Sequence, residues 1–124
     1  MTRKKFINVF TDFIKKAVML NSKRLEHGVK SLEDEVEDFD DEYFKMGLRM
    51  IIDEVDLKLV DEILSNILSH EKGKYKRIYM TIVKRTVIGI QEGISSRILI
   101  MVSLSLANLP KSEQNTIECE LLKD

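Results

Sequence analysis

Residues 6–20 of the chain read FINVFTDFIKKAVML, in which apolar residues recur at the spacing of an α-helix. At 100° per residue, the apolar positions fall within a stripe about 100° wide, and the neighbouring lysines lie outside it. The stripe consists of Phe6, Val9, Phe10, Phe13, Ala17 and Leu20. A basic amphipathic helix with phenylalanines on its apolar face can also lie on a membrane surface. Packing against a core is the commoner use of such a stripe, and we interpret it in that way.

The helical spacing continues along most of the chain. Apolar residues extend the first stretch past Gly28 to Val36, although a glycine costs about 1 kcal/mol of helix propensity. Aspartate or serine residues that can cap a helix precede several later stretches, and a glycine or a proline follows two of them. The first of these later predicted helices is 43–52, capped by Asp40 or Asp41, and the second follows Asp56 and ends near 70–73. The third is 74–91, which Gly93 ends. The fourth is capped by Ser95 or Ser96 and ends at Pro110.

Length and composition indicate a single all-α domain. The chain has 124 residues, of which 44% are hydrophobic and 33% are charged, a balance typical of one globular unit. No stretch alternates between apolar and polar residues for long enough to predict a strand. We therefore expect a compact helical bundle of five or six helices. It would occupy residues 1–110 as a single helical domain, and residues 111–124 would be a polar C-terminal tail that frays or forms one short turn.

Charge is segregated along the chain, although the formal net charge is only −1. Residues 31–71 contain three basic and fourteen acidic residues, whereas residues 1–30 and 72–97 each contain six more basic than acidic residues. The acids are densest in residues 33–42, where eight of the ten side chains are carboxylates. Such a block is either a solvated face or a docking surface for a basic partner. The charges alone leave both interpretations open.

The residues that enzymes and metal sites need are sparse. Cys119 has no histidine nearby in the sequence, and His27 and His70 belong to no spaced set of metal ligands. The acidic block lacks the central glycine of a calcium loop, and no glycine-rich phosphate loop follows a strand. We therefore expect no enzyme activity, no cofactor and no metal site. We also expect no nucleic-acid binding, because the chain is slightly acidic overall and its aromatic residues are predicted to face the core.

The sequence also lacks the features of a membrane-spanning or secreted chain. The longest apolar run, residues 98–102, is far shorter than the ~20 residues of a membrane-spanning helix. No apolar leader with a cleavage site opens the sequence, and a single cysteine forms no internal disulfide. We therefore expect a cytoplasmic protein.

Three neighbouring segments carry more specific patterns. Residues 24–33, RLEHGVKSLE, resemble the pattern R-x-G-(L/I)-L-x-L-E at the start of the cytoplasmic region of the flagellar stator A subunit, MotA. Residues 42–53, EYFKMGLRMIID, are similar to that family's D-x-F-(L/I)-x-x-G-L-x-(L/M)-(V/I)-(V/I)-D. Residues 56–64, DLKLVDEIL, are similar to the D-P-E-(L/V)-V-x-E-I-(L/M) that follows it.

A second block, later in the chain, resembles the same family. Residues 87–93, VIGIQEG, resemble its I-Q-x-G helix. The part of the family's pattern that follows this helix is matched by Arg97, Leu99, Leu109 and Pro110. In the family the two blocks flank two transmembrane helices, whereas only twenty residues separate His70 from Ile90 here. The chain therefore resembles the two cytoplasmic pieces of MotA joined together, without the membrane-spanning helices.

The sequence departs from the family's pattern at several places, and the spacing from Arg97 to Pro110 is two residues longer than in the family. Residues 53–57, DEVDL, lack the glycine and the proline of a D-G-x-D-P turn. Residues 95–96 are two serines in place of Asn-Pro. Residues 100–102 are Ile, Met and Val, where the family carries charged residues. The last change suggests a buried contact on this helix.

The resemblance implies a stator-like cytoplasmic interaction domain of the bacterial flagellar motor. Such a domain would dock through charged helix faces to a rotor switch protein or to stator subunits, and it would conduct no ions. In the family, a glutamate and an arginine of the first cytoplasmic helix face the rotor. The glutamate matches Glu33, whereas Leu25 occupies the arginine position and Arg24 is the neighbouring candidate. With Glu37 and Glu42 of the acidic block, these residues form the predicted partner-binding set.

A non-motility helical adaptor or regulatory protein is the alternative interpretation. It would also act by protein–protein interaction, but without rotor contacts. For either function we expect a location in the cytoplasm, at the inner face of the cell membrane if partners hold the protein there.

Residues 98–106 predict a further contact surface. This segment is apolar nearly all round, with only Ser103 and Ser105 polar, and such a helix must be buried on several sides. We expect a homo-oligomer through 98–106, most simply a two-fold dimer. Alternatively, the chain folds back and buries this helix within itself.

Overall fold

The computed structural model describes residues 1–121. Over this part of the chain every regular element is a helix, which confirms the all-α class. The helices number seven there rather than the expected five or six. In chain order they are α1 (Arg3–His27), a 3₁₀ helix (Val29–Asp38), α2 (Glu42–Ile52), α3 (Leu57–Leu68), α4 (Lys74–Glu92), α5 (Ser96–Ala107) and α6 (Lys111–Leu121).

The first helix ends earlier than the apolar spacing predicts. Gly28 has a φ of 88°, a conformation that glycine adopts readily and that cannot continue a right-handed helix. The 3₁₀ helix that follows runs back along α1, as the 2.9 Å ion pair between Lys23 and Glu35 shows. Its apolar residues are nevertheless buried, namely Leu32 and Val36. The spacing therefore predicts which residues pack inward but not the break between the two helices.

The expected polar tail forms a helix over most of its length. Residues 111–121 make up α6, and Ile117 is buried against the rest of the molecule. Two ion pairs tie α6 to α1, since Arg3 lies 2.7 Å from Glu113 and Lys15 pairs with Glu120. The prediction of a fraying end overlooked Ile117 and Leu121, which lie four residues apart on one helix face and pack on the core. Two apolar residues over a single turn give only a weak periodic signal. Residues 122–124 of the expected tail lie outside the described residues.

Capping residues set the other helix boundaries where the sequence predicts them. The Asp41 carboxylate accepts hydrogen bonds from the first backbone N–H groups of α2. Asp56 and Ser95 cap α3 and α5 in the same way. Gly93, with a φ of 75°, ends α4 in the left-handed conformation.

The bundle is built on helices that run parallel to α1. The Phe6 and Tyr75 rings stack at 5.7 Å near the starts of α1 and α4, and Arg24 contacts the end of α4, so these two helices run in the same direction. The ion pairs of Arg3 and Lys15 with α6 show that α6 runs in that direction too. Consequently α1, α4 and α6 all begin at one end of the bundle, and α3 and α5 run back towards it.

An aromatic cluster positions the segment between the 3₁₀ helix and α2. The Phe13 ring of α1 meets Phe44 edge-on at 4.8 Å and Tyr79 of α4 at 5.6 Å. Phe39, in the connecting segment, packs on Phe44 at 4.9 Å. Because Phe39 is 8% exposed, it anchors the acidic residues on either side of it to the core.

The apolar helix α5 is largely buried within its own chain. Leu99, Ile100 and Leu104 are at most 5% exposed and belong to the common core. Ile98 and Met101 remain 45% and 53% exposed. The chain therefore buries one face of this helix by folding back on itself, and two large apolar side chains remain exposed on the other face.

Candidate functional site

The acidic segment, residues 33–42, packs against α1 and α2. It comprises the last turns of the 3₁₀ helix, the connection to α2 and the first residue of α2. Its apolar members, Val36 and Phe39, are buried, so that its carboxylates project from a fixed backbone. The eight carboxylates divide into those that have a partner within the described chain and those that have none.

Two carboxylates of the 3₁₀ helix are held by basic residues of neighbouring helices. Glu35 accepts a 2.9 Å hydrogen bond from Lys23, and this bond lowers the pKa of the Glu35 carboxyl. Glu37 lies 2.9 Å from Arg49 and 3.4 Å from Lys45. The hydrogen bond from Arg49 is the main cause that lowers the pKa of Glu37, and Lys45 adds to it. These contacts fasten the 3₁₀ helix to α1 and α2.

Asp41 connects the acidic segment to α4. Besides capping α2, its carboxylate accepts a 3.0 Å hydrogen bond from the Tyr79 hydroxyl. Burial, together with the charge of Asp41, raises the pKa of Tyr79. The neighbouring Tyr43 donates to the Leu64 carbonyl at 2.6 Å, and burial is the main cause that raises the pKa of Tyr43 to about 12.

Besides Glu37 and Glu42, which are also exposed, four carboxylates of the segment face solvent. These four residues make no ion pair with any residue of the described chain, and they are Glu33, Asp34, Asp38 and Asp40. They start near the turn at Gly28 and end beside α2. The structure therefore contains a fixed row of exposed negative charges that its own basic residues do not neutralise.

The four predicted partner-binding residues are not gathered into one cluster. Glu37 and Glu42 both approach Lys45, at 3.4 Å and 3.5 Å, so part of their charge is used inside the chain. Glu33 is exposed. Arg24 donates to the backbone carbonyls of Ile90 at 2.8 Å and Gln91 at 2.9 Å, which satisfies the end of α4.

A cleft of about 930 Å³ borders the acidic segment, and the periodicity of the sequence did not predict it. Its walls come from α1, α2, α4 and the end of α3. Aromatic and methionine side chains line it, including Phe13, Phe39, Tyr43, Met46, Tyr79 and Met80. The charged residues of its lining are five acids and two lysines, namely Asp12, Asp40, Asp41, Glu42, Glu71, Lys16 and Lys76. Met46, on the first turns of α2, is 39% exposed, so solvent reaches the apolar lining of the cleft.

The described residues contain no group of three or more His, Cys, Asp or Glu side chains placed to hold a metal ion. Cys119 is exposed on α6 and forms no disulfide. None of the helices over residues 1–121 is both long enough and apolar enough to cross a bilayer. The arrangement that stands out over this range is the row of exposed carboxylates beside an apolar cleft.

Comparison with known proteins adds one relative. Motility protein A of Treponema phagedenis is 32% identical over 66 residues, which amount to 53% of this chain and 26% of that protein. The chain thus spans about a quarter of the length of the curated relative it matches. No family model matches the chain, and no solved structure matches it. About half of the chain is therefore similar to a motility protein, in agreement with the resemblance to MotA.

Proposed function

We propose that this chain is an interaction domain of the bacterial flagellar motor, similar to the cytoplasmic region of the stator A subunit. It would dock to a basic surface of a rotor switch protein or of a stator subunit. The row formed by Glu33, Asp34, Asp38 and Asp40 is the observation that carries the proposal. The similarity to Motility protein A supplies the link to motility. The proposal includes no ion conduction, no catalytic step and no cofactor.

Docking through exposed carboxylates acts mainly on the rate and the specificity of association. Complementary charge steers a basic partner towards the acidic segment and disfavours acidic partners. Salt screens exposed charges over a Debye length of ~10 Å at 0.1 M, so the affinity should fall as salt rises. Because Phe39 anchors the segment, the carboxylates need little ordering when a partner binds.

The cleft gives the same partner a place for apolar side chains. Its lining contains Asp40 and Glu42, and acids outnumber lysines there by five to two. An apolar lining with an excess of carboxylates suits a segment that carries both basic and apolar residues. Burial of apolar surface would supply affinity that charge alone does not. We therefore propose a basic, amphipathic segment of the partner as the element that docks here.

A pull-down from a motile host tests this function. The full chain is compared with Glu33→Lys, Asp34→Lys, Asp40→Lys, which reverses three exposed carboxylates of the segment. The matched control, Asp53→Lys, Glu62→Lys, Glu92→Lys, changes the net charge equally at exposed acids outside the segment. We expect rotor switch proteins or stator subunits to co-purify with the parent chain and with the control. They should be lost from the sample of the segment variant, Glu33→Lys, Asp34→Lys, Asp40→Lys. Absence of every motor component from the parent sample would contradict the proposal.

The contacts of Arg24 favour a second candidate function, that of a non-motility adaptor. The family's rotor-facing arginine corresponds to Leu25, and the neighbouring Arg24 is engaged with the end of α4. An adaptor that keeps the helical frame would have no need of the rotor contact. Recovery of a non-motor protein in the same pull-down, with the same dependence on the acidic segment, would favour this second function.

We also propose self-association through α5. Ile98 and Met101 lie one turn apart and both are exposed. Pairing them with a second copy would cover apolar surface that the fold-back leaves in water. The face is narrower than the sequence predicts, because Leu99, Ile100 and Leu104 already pack in the core.

A further inference from the structure

We propose that the end of the bundle where α1, α4 and α6 begin docks on the surface of an anionic lipid bilayer. We name it the basic end. It carries Arg3, Lys4, Lys5, Lys72, Lys74, Lys76 and Lys111, all of which are exposed. The inference does not rest on the docking function of the acidic segment, because none of these basic residues belongs to residues 33–42. The cleft beside that segment borders the basic end through Met1 and Lys76.

Most of the positive charge of the basic end is not neutralised within the described chain. Glu113 pairs with Arg3 at 2.7 Å, and Glu71 pairs with Lys76 at 3.4 Å. Five lysines make no ion pair with the described residues, namely Lys4, Lys5, Lys72, Lys74 and Lys111. Lysines that reach an anionic bilayer each raise the partition coefficient about fivefold, so several together give measurable binding.

Tertiary packing brings these lysines together from distant parts of the sequence. The ring stacking of Phe6 on Tyr75 at 5.7 Å joins the start of α1 to the start of α4. The ion pair between Arg3 and Glu113 joins the start of α6 to the same place. Three helix N-termini therefore point the same way, and the positive end of each helix dipole adds to the lysine charge.

The opposite end of the bundle carries charges of both signs. Glu26 lies near the end of α1, Asp53 and Glu54 follow α2, and Glu92 ends α4; all four are exposed. Lys30, Lys58 and Arg97 are exposed at this same end. An anionic surface therefore attracts the basic end more strongly than the opposite end. The charge distribution therefore selects one orientation, with the basic end towards the lipid headgroups.

A flat lipid surface suits the basic end better than a nucleic acid does. Lysine ammonium groups are sufficient for anionic headgroups, whereas sequence-specific nucleic-acid recognition also uses aromatic stacking or base-edge contacts. Tyr75, the aromatic residue at this end, is partly buried against Phe6. The Met1 side chain, 49% exposed, adds an apolar group that can enter the headgroup layer.

Co-sedimentation of the full chain with vesicles tests the proposal. Vesicles of phosphatidylcholine alone are compared with vesicles that also contain phosphatidylglycerol, at low and at high salt. The test variant is Lys4→Glu, Lys5→Glu, Lys74→Glu, and the matched control is Lys58→Glu, Arg85→Glu, Arg97→Glu. Both variants change the net charge equally and replace exposed residues. Glutamates near the starts of α1 and α4 complement the helix dipoles, so we expect the test variant to fold.

We expect binding to the anionic vesicles only, reversed by high salt. The partition coefficient of the test variant should be on the order of 100-fold lower than that of the parent chain. The partition coefficient of the control should fall at most a few-fold. Equal losses in both variants, or binding to neutral vesicles, would overturn the proposal. So would tighter binding to a DNA duplex than to anionic vesicles under the same conditions, since that result would assign the basic end to nucleic acid.

Discussion

The Glu37 carboxylate lies 2.9 Å from the Arg49 guanidinium and 3.4 Å from the Lys45 ammonium. Lys45 is only 9% exposed, and Glu37 and Glu42 are its acidic partners. An almost buried ammonium needs such partners, because removing one leaves a poorly compensated charge. Glu37 is therefore part of the bundle's own framework as well as of the acidic segment.

Replacement of Glu37 should lower stability more than replacement of an exposed neighbour. We expect Glu37→Lys to lower the Tm clearly, because the new ammonium faces Lys45 and Arg49. Glu37→Gln should lower it less. The control is Glu33→Lys, at an exposed site. Thermal unfolding followed by circular dichroism measures the difference, and an equal Tm for Glu37→Lys and Glu33→Lys would refute this role.

Acid should weaken the bundle through Glu35 and Glu37. Lys23 and Arg49 hold the pKa values of these carboxyls below their ordinary value of 4.5. Such groups contribute stability that is fully present above the ordinary value and is lost as the pH falls through the lowered value. Urea unfolding at several pH values should show this decline, and it should be shallower in Glu35→Gln, Glu37→Gln. An unchanged slope in that variant would contradict the assignment.

High pH should lower the stability of the bundle through ionisation of Tyr43. Burial raises the pKa of Tyr43 from 10.0 to about 12, so the unfolded chain loses this proton before the folded chain does. The stability that comes from this group is present below pH 10 and is lost as the pH rises towards the raised value. Ultraviolet absorbance should show a late phenolate that Tyr43→Phe removes. Complete ionisation of the tyrosines near pH 10 in the folded chain would disagree with it.

Gly47 should tolerate no side chain. A Cβ placed there would lie 2.6 Å from Cγ2 of Val87, where α2 crosses α4. We expect Gly47→Ala to cost about 1–3 kcal/mol through overpacking. Adding Val87→Ala should recover part of that loss. Gly73→Ala is the control, because its Cβ would meet neighbours at ordinary distances of 3.5 Å or more. If Gly47→Ala is as stable as the parent chain, the close approach of the two helices is wrong.

Self-association should depend on Ile98 and Met101. Sedimentation should find the parent chain as an oligomer and Ile98→Lys, Met101→Lys as a folded monomer. The matched control is Met19→Lys, Leu59→Lys, which replaces exposed apolar residues elsewhere. Leu104 is unsuitable for this test because it is 5% exposed, and a lysine there would disturb the core. A folded parent monomer at high micromolar concentration would exclude the oligomer.

Periodicity and capping were sufficient to predict most of the fold. The stripe from Phe6 to Leu20 and the caps Asp41, Asp56 and Ser95 act over one or two helical turns, so they are visible in the sequence. The break at Gly28 was missed because a single glycine within an apolar pattern permits either continuation or a turn. The helix at the C-terminal end was missed because long-range contacts with Arg3 and Lys15 support it.

The candidate site was predicted only in part. The acidic run is visible in the sequence, but which carboxylates remain free depends on where Lys23, Lys45 and Arg49 fall after folding. Arg24 illustrates the same point, because its engagement with the end of α4 spans more than sixty residues of sequence. The cleft and the basic end were not predictable by periodicity, since each is assembled from several helices.

Titration of the full chain with a purified rotor switch protein tests the central claim most directly. Affinity is measured by calorimetry at increasing salt for the parent chain, the segment variant Glu33→Lys, Asp34→Lys, Asp40→Lys and its matched control. We predict that affinity falls as salt rises, that the segment variant binds at least tenfold more weakly, and that the control binds like the parent. Binding that is indifferent to salt and equal in all three proteins would contradict docking through the acidic segment.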